Sequence, residues 1–249
     1  MRLRNNLIRL KDDFISLGLF DKIFDTLVFA AMVTVTVIQV VTKDDYFKTL
    51  QLCLNIAASL ALFIAHILFR EGSLFGSLSL KCQKYINVVV LLGSLGGQFF
   101  VLGDYYSNYD TLTHFVASPF VCLIAYYIYE FYAKEEAFRK PLLCSTYCFY
   151  MSLSVGILWE VFEFCSDFLL GGTCQGYNLS LGDDKFFYFR WFTSAAKPEL
   201  QYALYDTFAD IIGALITTLI TAVIMTVVLK KKQSAYGNEK AEKEVFSGT

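Results

Sequence analysis

Asp110, His114, Glu160, Glu163, Asp167, Asp206 and Asp210 are the residues whose types and spacing could do chemistry in this chain. Asp110 and His114 lie four apart in YDTLTHF. Glu160, Glu163 and Asp167 fall at i, i+3 and i+7 in WEVFEFCSD, and Asp206 and Asp210 lie four apart in YDTFAD. On a helix each set occupies one face. Carboxylates joined by a single imidazole make an oxygen-rich ligand set that suits Mg²⁺, Mn²⁺, Ca²⁺ or Zn²⁺ and needs no thiolate. The same groups can share protons or act as general bases.

The segments that carry these residues must be membrane helices. The chain has 249 residues, 56% hydrophobic and 17% aromatic, with a mean hydropathy of +0.49. Six apolar runs, each about 20 residues or longer, can cross a hydrocarbon core of about 30 Å. They are Ile23–Thr42, Thr49–Phe69, Tyr85–Gly103, Leu112–Tyr132, Leu142–Leu170 and Tyr205–Leu229. Runs this long and uniformly apolar exclude barrel strands, so the expected fold is all-α, a single bundle of six transmembrane helices spanning 23–229. Sixteen of the 21 Lys and Arg fall on the side of the termini, with Lys43, Lys48, Lys185, Arg190 and Lys197 on the other. That bias places both termini in the cytoplasm of a multi-pass cell (inner or plasma) membrane protein. No cleaved signal peptide is expected, because the first apolar run is full length and no small-residue cleavage site follows it.

Four flanking features complete the layout. Residues 1–20 mix Leu7, Ile8, Phe14 and Ile15 with Arg9, Lys11, Asp12 and Asp13, which predicts an amphipathic helix on the inner surface. Residues 171–204 form an outer loop whose stretch Phe186–Phe192 (FFYFRWF) suits either interfacial anchoring or a flap over a substrate. Residues 230–249 read as a disordered cytoplasmic tail behind a lysine anchor. The seven cysteines have no zinc-like cadence; most read as small apolar packing residues within spans and only Cys174 falls in the outer loop, and no basic stripe suggests nucleic acid.

This topology brings the acidic ends of helices four, five and six to one depth near the outer surface. Six carboxylates confined within a few helix widths repel by roughly 1–4 kcal/mol per close pair. Bound divalent cations, shared protons or loop cations such as Arg190 would each relieve that repulsion. Asp110 or Asp206 alone would pass for a helix N-cap, and Asp167 for a solvated interfacial acid. That explanation does not reach His114, Glu160, Glu163 or Asp210, at least one turn inside their spans. Ionisable groups at such depth are functional by default.

Weaker signals surround the cluster. His66 and Arg70, four apart, read as a snorkelling interfacial pair. Asn55 and Gln98 suit interhelical hydrogen bonds. Gly93, Gly96 and Gly97, with Ala209, Gly213 and Thr217, mark close helix contacts.

Three of these stretches, Asp110–His114–Phe115, Trp159–Glu160–Glu163 and Asp206–Asp210–Gly213–Ala214, resemble in order the motifs of the YjdF-like family of bacterial inner-membrane proteins of unknown function. The likeness covers roughly residues 85–225. The layout is similar, more distantly, to VanZ-like proteins, except that Glu163 and Asp210 stand where that pattern has Gln and Asn. Neither resemblance supplies a reaction.

Three functions fit. One is a metal-dependent enzyme acting on a lipid-linked or amphiphilic substrate from the bilayer. There Asp110, His114, Asp206 and Asp210, with Asp167, would ligate a divalent ion, and Glu160 or Glu163 would be the general base. The second is a cation- or proton-coupled transporter, against which stand the lack of an inverted repeat or broken helix pair and the scarcity of polar residues beyond Asn55 and His66. The third is a non-catalytic envelope accessory protein holding a structural ion. Oligomeric state is not indicated.

Overall fold

The computed structural model describes residues 2–42, 46–100, 109–134, 139–170 and 202–247, and every regular element among them is helical. α1 (Arg2–Ser16) is followed by α2 (Leu19–Thr42), α3 (Tyr46–Ser59), α4 (Ala61–Leu68) and the short α5 (Leu74–Ser77). A 3₁₀ turn (Leu80–Cys82) leads into α6 (Gln83–Val90), which runs on as a π-helical stretch over Leu91–Phe99. α7 (Tyr109–Ala133), α8 (Pro141–Leu170) and α9 (Tyr202–Ser247) complete the chain.

Four of these helices are long and apolar enough to cross a membrane, those containing Leu19–Thr42, Tyr109–Ala133, Pro141–Cys165 and Leu204–Asn238. A fifth is added if α3 and α4, bent by 65° at Leu60, count as one. The remaining expected span corresponds to α6 and its π-helical continuation, of eight and nine residues. Phe162, Phe164 and Phe168 of α8 and Leu219, Ile220, Val223, Ile224 and Val227 of α9 are exposed. An apolar surface of that extent belongs against lipid.

The bend at Leu60 corrects the expectation that no helix is broken. Neither proline nor glycine causes it. The fully buried Gln83 does, from outside the helix. Its Oε1 accepts from Leu62 N at 2.8 Å, and its Nε2 donates to Ala58 O at 3.1 Å and to Asn87 Oδ1 at 3.1 Å. The side-chain amide thus replaces backbone hydrogen bonds that the bend would forfeit, a requirement that is strict in lipid.

Two helical groups result. Around α2, α3 and α6, Val28, Met32, Val35, Leu52 and Val90 form one core. α7, α8 and α9 pack on one another around Cys122, Ala125, Cys144, Cys148, Met225 and Leu229. Asn55 Nδ2 donates to Ser94 Oγ at 2.8 Å, the interhelical bond its position predicts. Gln98 and the aromatic stretch Phe186–Phe192 fall outside the described side chains. Gly213 marks a close approach: a Cβ there would stand 3.7 Å from Thr111 Cγ2 and 3.8 Å from Thr111 O.

The C-terminal tail is a second correction. α9 continues as a helix to Ser247, where the lysine-rich composition of residues 230–249 predicts disorder. Lys, Gln, Ala and Glu in that stretch are good helix formers. Contacts with the start of α8 secure the extension: Gln233 Nε2 donates to Arg139 O at 2.7 Å, and the Arg139 guanidinium lies 5.5 Å from the Tyr236 ring centroid.

Candidate functional site

α7, α8 and α9 deliver the acidic stripes to a common place. His114 is 8% exposed, Glu160 4%, Glu163 6%, Asp206 8% and Asp210 0%, while the side chain of Asp110 remains 40% exposed. His114 Nε2 stands 3.4 Å from Glu160 Oε1 and 3.9 Å from Asp110 Oδ1. Potential ligand atoms gather in three overlapping groups, Asp110–His114–Glu163, His114–Glu160–Asp210 and Asp110–Asp206–Asp210. Within each group they lie within 4.8 Å of one another. Six of the seven residues singled out by spacing therefore meet in one cluster. Asp167 belongs to the last turn of α8, and its side chain is outside those described.

The local chemistry follows from the helices themselves. None of α7, α8 or the first 28 residues of α9, Tyr202–Leu229, contains Lys or Arg. Asp206 is the fifth residue of α9, so the N-cap explanation does not apply to it. Among the described residues, Asp210 has both carboxylate oxygens buried with no donor in bonding geometry, and Glu163 has Oε2 in the same state. Buried carboxylate oxygens without donors cost several kcal/mol, so their arrangement asks for a positive or protonated partner. Glu163 Oε1 accepts from the Trp159 indole Nε1 at 2.7 Å, which fixes that carboxylate's rotamer. Pro119 interrupts the α7 hydrogen-bond ladder just beyond His114.

Several neighbours escape spacing rules based on charge. The Ser118 hydroxyl donates to His114 O at 2.7 Å, and the Ser152 hydroxyl donates to Ser118 O at 2.8 Å. Thr218 Oγ1 lies 3.3 Å from Ser152 Oγ. These hydroxyls sit four residues from His114, eight from Glu160 and eight from Asp210, so helical periodicity was the available signal. The ladder stops at the sulfur-rich core, where Cys122 Sγ and Met225 Sδ are 3.7 Å apart. Trp159 had a signal too, one turn before Glu163 on the same face.

His66 corrects the snorkelling expectation. It is 2% exposed, with Nε2 2.8 Å from Leu78 O and Nδ1 3.3 Å from Asp13 Oδ2. Docking of α1 over α4 buries it, a tertiary effect that a four-residue spacing to Arg70 does not reveal.

Comparison with known proteins agrees with this architecture. Residues 24–231 match the family described as Predicted membrane protein (DUF2238), and the chain belongs to that family. No curated protein and no solved structure matches it.

Proposed function

Taking the chain as a member of this membrane-protein family, we propose that the α7–α9 cluster binds a divalent cation and acts on an amphiphilic or lipid-linked substrate. The supporting observation is the convergence of six carboxylate and imidazole side chains in three overlapping groups with ligand atoms within 4.8 Å. Oxygen-rich ligation with one imidazole favours Mg²⁺, Mn²⁺, Ca²⁺ or Zn²⁺. Asp110, His114, Asp206 and Asp210 are the ligands of this reading, and Asp167 a further one. Glu160 or Glu163 is the general base toward a water or hydroxyl polarised by the ion. Trp159, Phe115 and Phe208 are exposed beside the cluster, which favours a substrate arriving from the lipid.

In the same reading the chain makes six spans with both termini in the cytoplasm, and the cluster faces the opposite side. The sixteen-to-five distribution of basic residues supports that orientation. The bend at Leu60 is of a kind found at transporter ion sites. It packs on Gln83 rather than on the cluster, however, and the hydroxyl ladder ends in an apolar core, so an enzyme is favoured over a transporter.

Elemental analysis of protein purified without chelator tests the reading. A near-stoichiometric divalent ion is expected in the wild type, lost on Asp210→Asn or His114→Ala and kept on Asp12→Asn. A wild type that holds no ion even after incubation with Mg²⁺, Mn²⁺, Ca²⁺ and Zn²⁺ would leave proton sharing as the better account of the cluster.

A further inference from the structure

A second polar site lies where α1 meets α4 and α5. Leu78 and Leu80 pack there with Tyr127 and Ile128 of α7, so it stands at the end of the bundle away from Asp110. A cavity of about 220 Å³ opens among Arg9, His66, Ser77, Ser79 and Lys81, with Asp13 and Glu71 also on its wall. Gly76 completes the wall: a Cβ there would fall 2.3 Å from Arg70 O, so the turn accepts no other residue without moving.

α1 is held over this cavity by polar contacts to the end of α4. Asn6 Nδ2 donates to Ile67 O at 2.9 Å and Phe69 O at 3.2 Å, and Arg9 Nη2 donates to His66 O at 3.0 Å. Carbonyls at a helix C-terminus lack intrahelical donors, which explains these contacts. They leave Arg9 Nε and Nη1 buried with no acceptor among the described residues. Asp13 is turned to His66, Glu71 is exposed, and no described carboxylate lies within ion-pair distance of Arg9. The His66 Nε2 must carry a proton, because the Leu78 carbonyl it meets can only accept.

Of the remaining polar lining groups, Ser16 already donates to Asp13 O, and Ser77, Ser79 and Lys81 are donors. Ser77 Oγ accepts from Gly72 N at 2.8 Å and Ser79 Oγ from Lys81 N at 3.3 Å, so each hydroxyl proton is left to donate. Lys81 is exposed at the rim. A guanidinium, an ammonium and two hydroxyl protons around one headgroup-sized space match an oxyanion with several acceptor oxygens. The opposite face of α1 exposes Leu3, Leu7, Ile8 and Ile15, which suits a helix lying in the membrane interface at headgroup level.

We propose that this cavity binds a phosphate group, carried by a phospholipid headgroup or free in solution, through Arg9, Lys81, Ser77 and Ser79. The site is separate from the acidic cluster and stands or falls without it. Full-length protein, delipidated in maltoside micelles and phosphate-free buffer, is followed by thermal unfolding. It is titrated with short-chain phosphatidylglycerol, with short-chain diacylglycerol and with inorganic phosphate. Phosphatidylglycerol raises the unfolding midpoint saturably and diacylglycerol does not, and Lys81→Ala weakens the apparent affinity about tenfold. A saturable response to inorganic phosphate as well identifies the free anion as a sufficient ligand. Arg9→Gln has the same effect, and should that variant fail to fold, the exposed Lys81 still decides. No saturable response to either phosphate source, or equal responses from the wild type and Lys81→Ala, overturns the proposal.

Discussion

Acids inside the two helical groups are partnered to different degrees. In α2, Asp21 and Asp25 are each given a donor: Lys84 Nζ stands 3.0 Å from Asp21 Oδ1, and Asn87 Nδ2 stands 2.7 Å from Asp25 Oδ1. Asn87 is in turn held by Gln83, which anchors the bend at Leu60. In α7–α9 acids face acids, and among the described residues neither oxygen of Asp210 has a donor in bonding geometry. Burial alone does not separate the groups, since Asp25 is 5% exposed and Asp206 8%. Partnering separates them by degree: Asp25 Oδ2, like Glu163 Oε2, has no donor among the described residues, but only at Asp210 do both oxygens lack one. A carboxylate matched to an amide or ammonium is part of the frame, and crowded carboxylates short of donors are a group that could hold a cation or share protons.

Substitution should expose that contrast, most strongly in the matched group. Gln83→Leu strands Leu62 N, Ala58 O and Asn87 Oδ1 at once, and should lower stability by about 3 kcal/mol or more. Denaturant titration in micelles reads this directly, and a loss below about 1 kcal/mol would mean that the bend is held by something else. Lys84→Met leaves Asp21 without its cation. Because the Lys84 side chain is 27% exposed, the expected loss is about 2 kcal/mol, below that of a fully buried pair. Adding Asp21→Asn should recover most of it, since the double variant removes both charges. Lack of recovery would show that the pair is not the coupled unit.

The smallest effect carries the most informative sign. Asp210→Asn, measured in excess chelator, should stabilise the protein by about 1 kcal/mol, because the amide brings donors of its own to a set of crowded buried acceptors. Asp25→Asn should destabilise by a similar amount under the same conditions, because it gives up a charge-assisted bond from Asn87. Two losses would mean that the α7–α9 acids are already matched. Two gains would mean that the α2 acids are not.

Much of this arrangement follows from periodicity. Spacings of three, four and seven residues fix which face a side chain occupies, so the convergence of Asp110, His114, Glu160, Glu163, Asp206 and Asp210 could be anticipated from three short stretches. Gly213, likewise, announces a close helix contact through its spacing from Ala209 and Thr217. The remainder depended on partners distant along the chain. Leu60 sits in an apolar run with no local breaker, and the side chain that bends it arrives 23 residues later. His66 is buried by a helix that precedes it by some 50 residues. The hydroxyls of Ser118, Ser152 and Thr218 carry no charge to distinguish them from ordinary packing residues until the helices are placed side by side. Composition, finally, cannot tell a solvated polar tail from a polar helix when lysine, glutamate and alanine favour both.

α9 carries a mechanical consequence. At 46 residues it is roughly 69 Å long, more than twice the thickness of a hydrocarbon core. Asp206 and Asp210 lie near one end of this rod, while Gln233 and Tyr236, about 35 Å or more farther on, hook it to Arg139. The polar end of the rod is therefore tied to the residues that open α8, so that two helices of the same bundle are fastened at both the acidic end and the basic end.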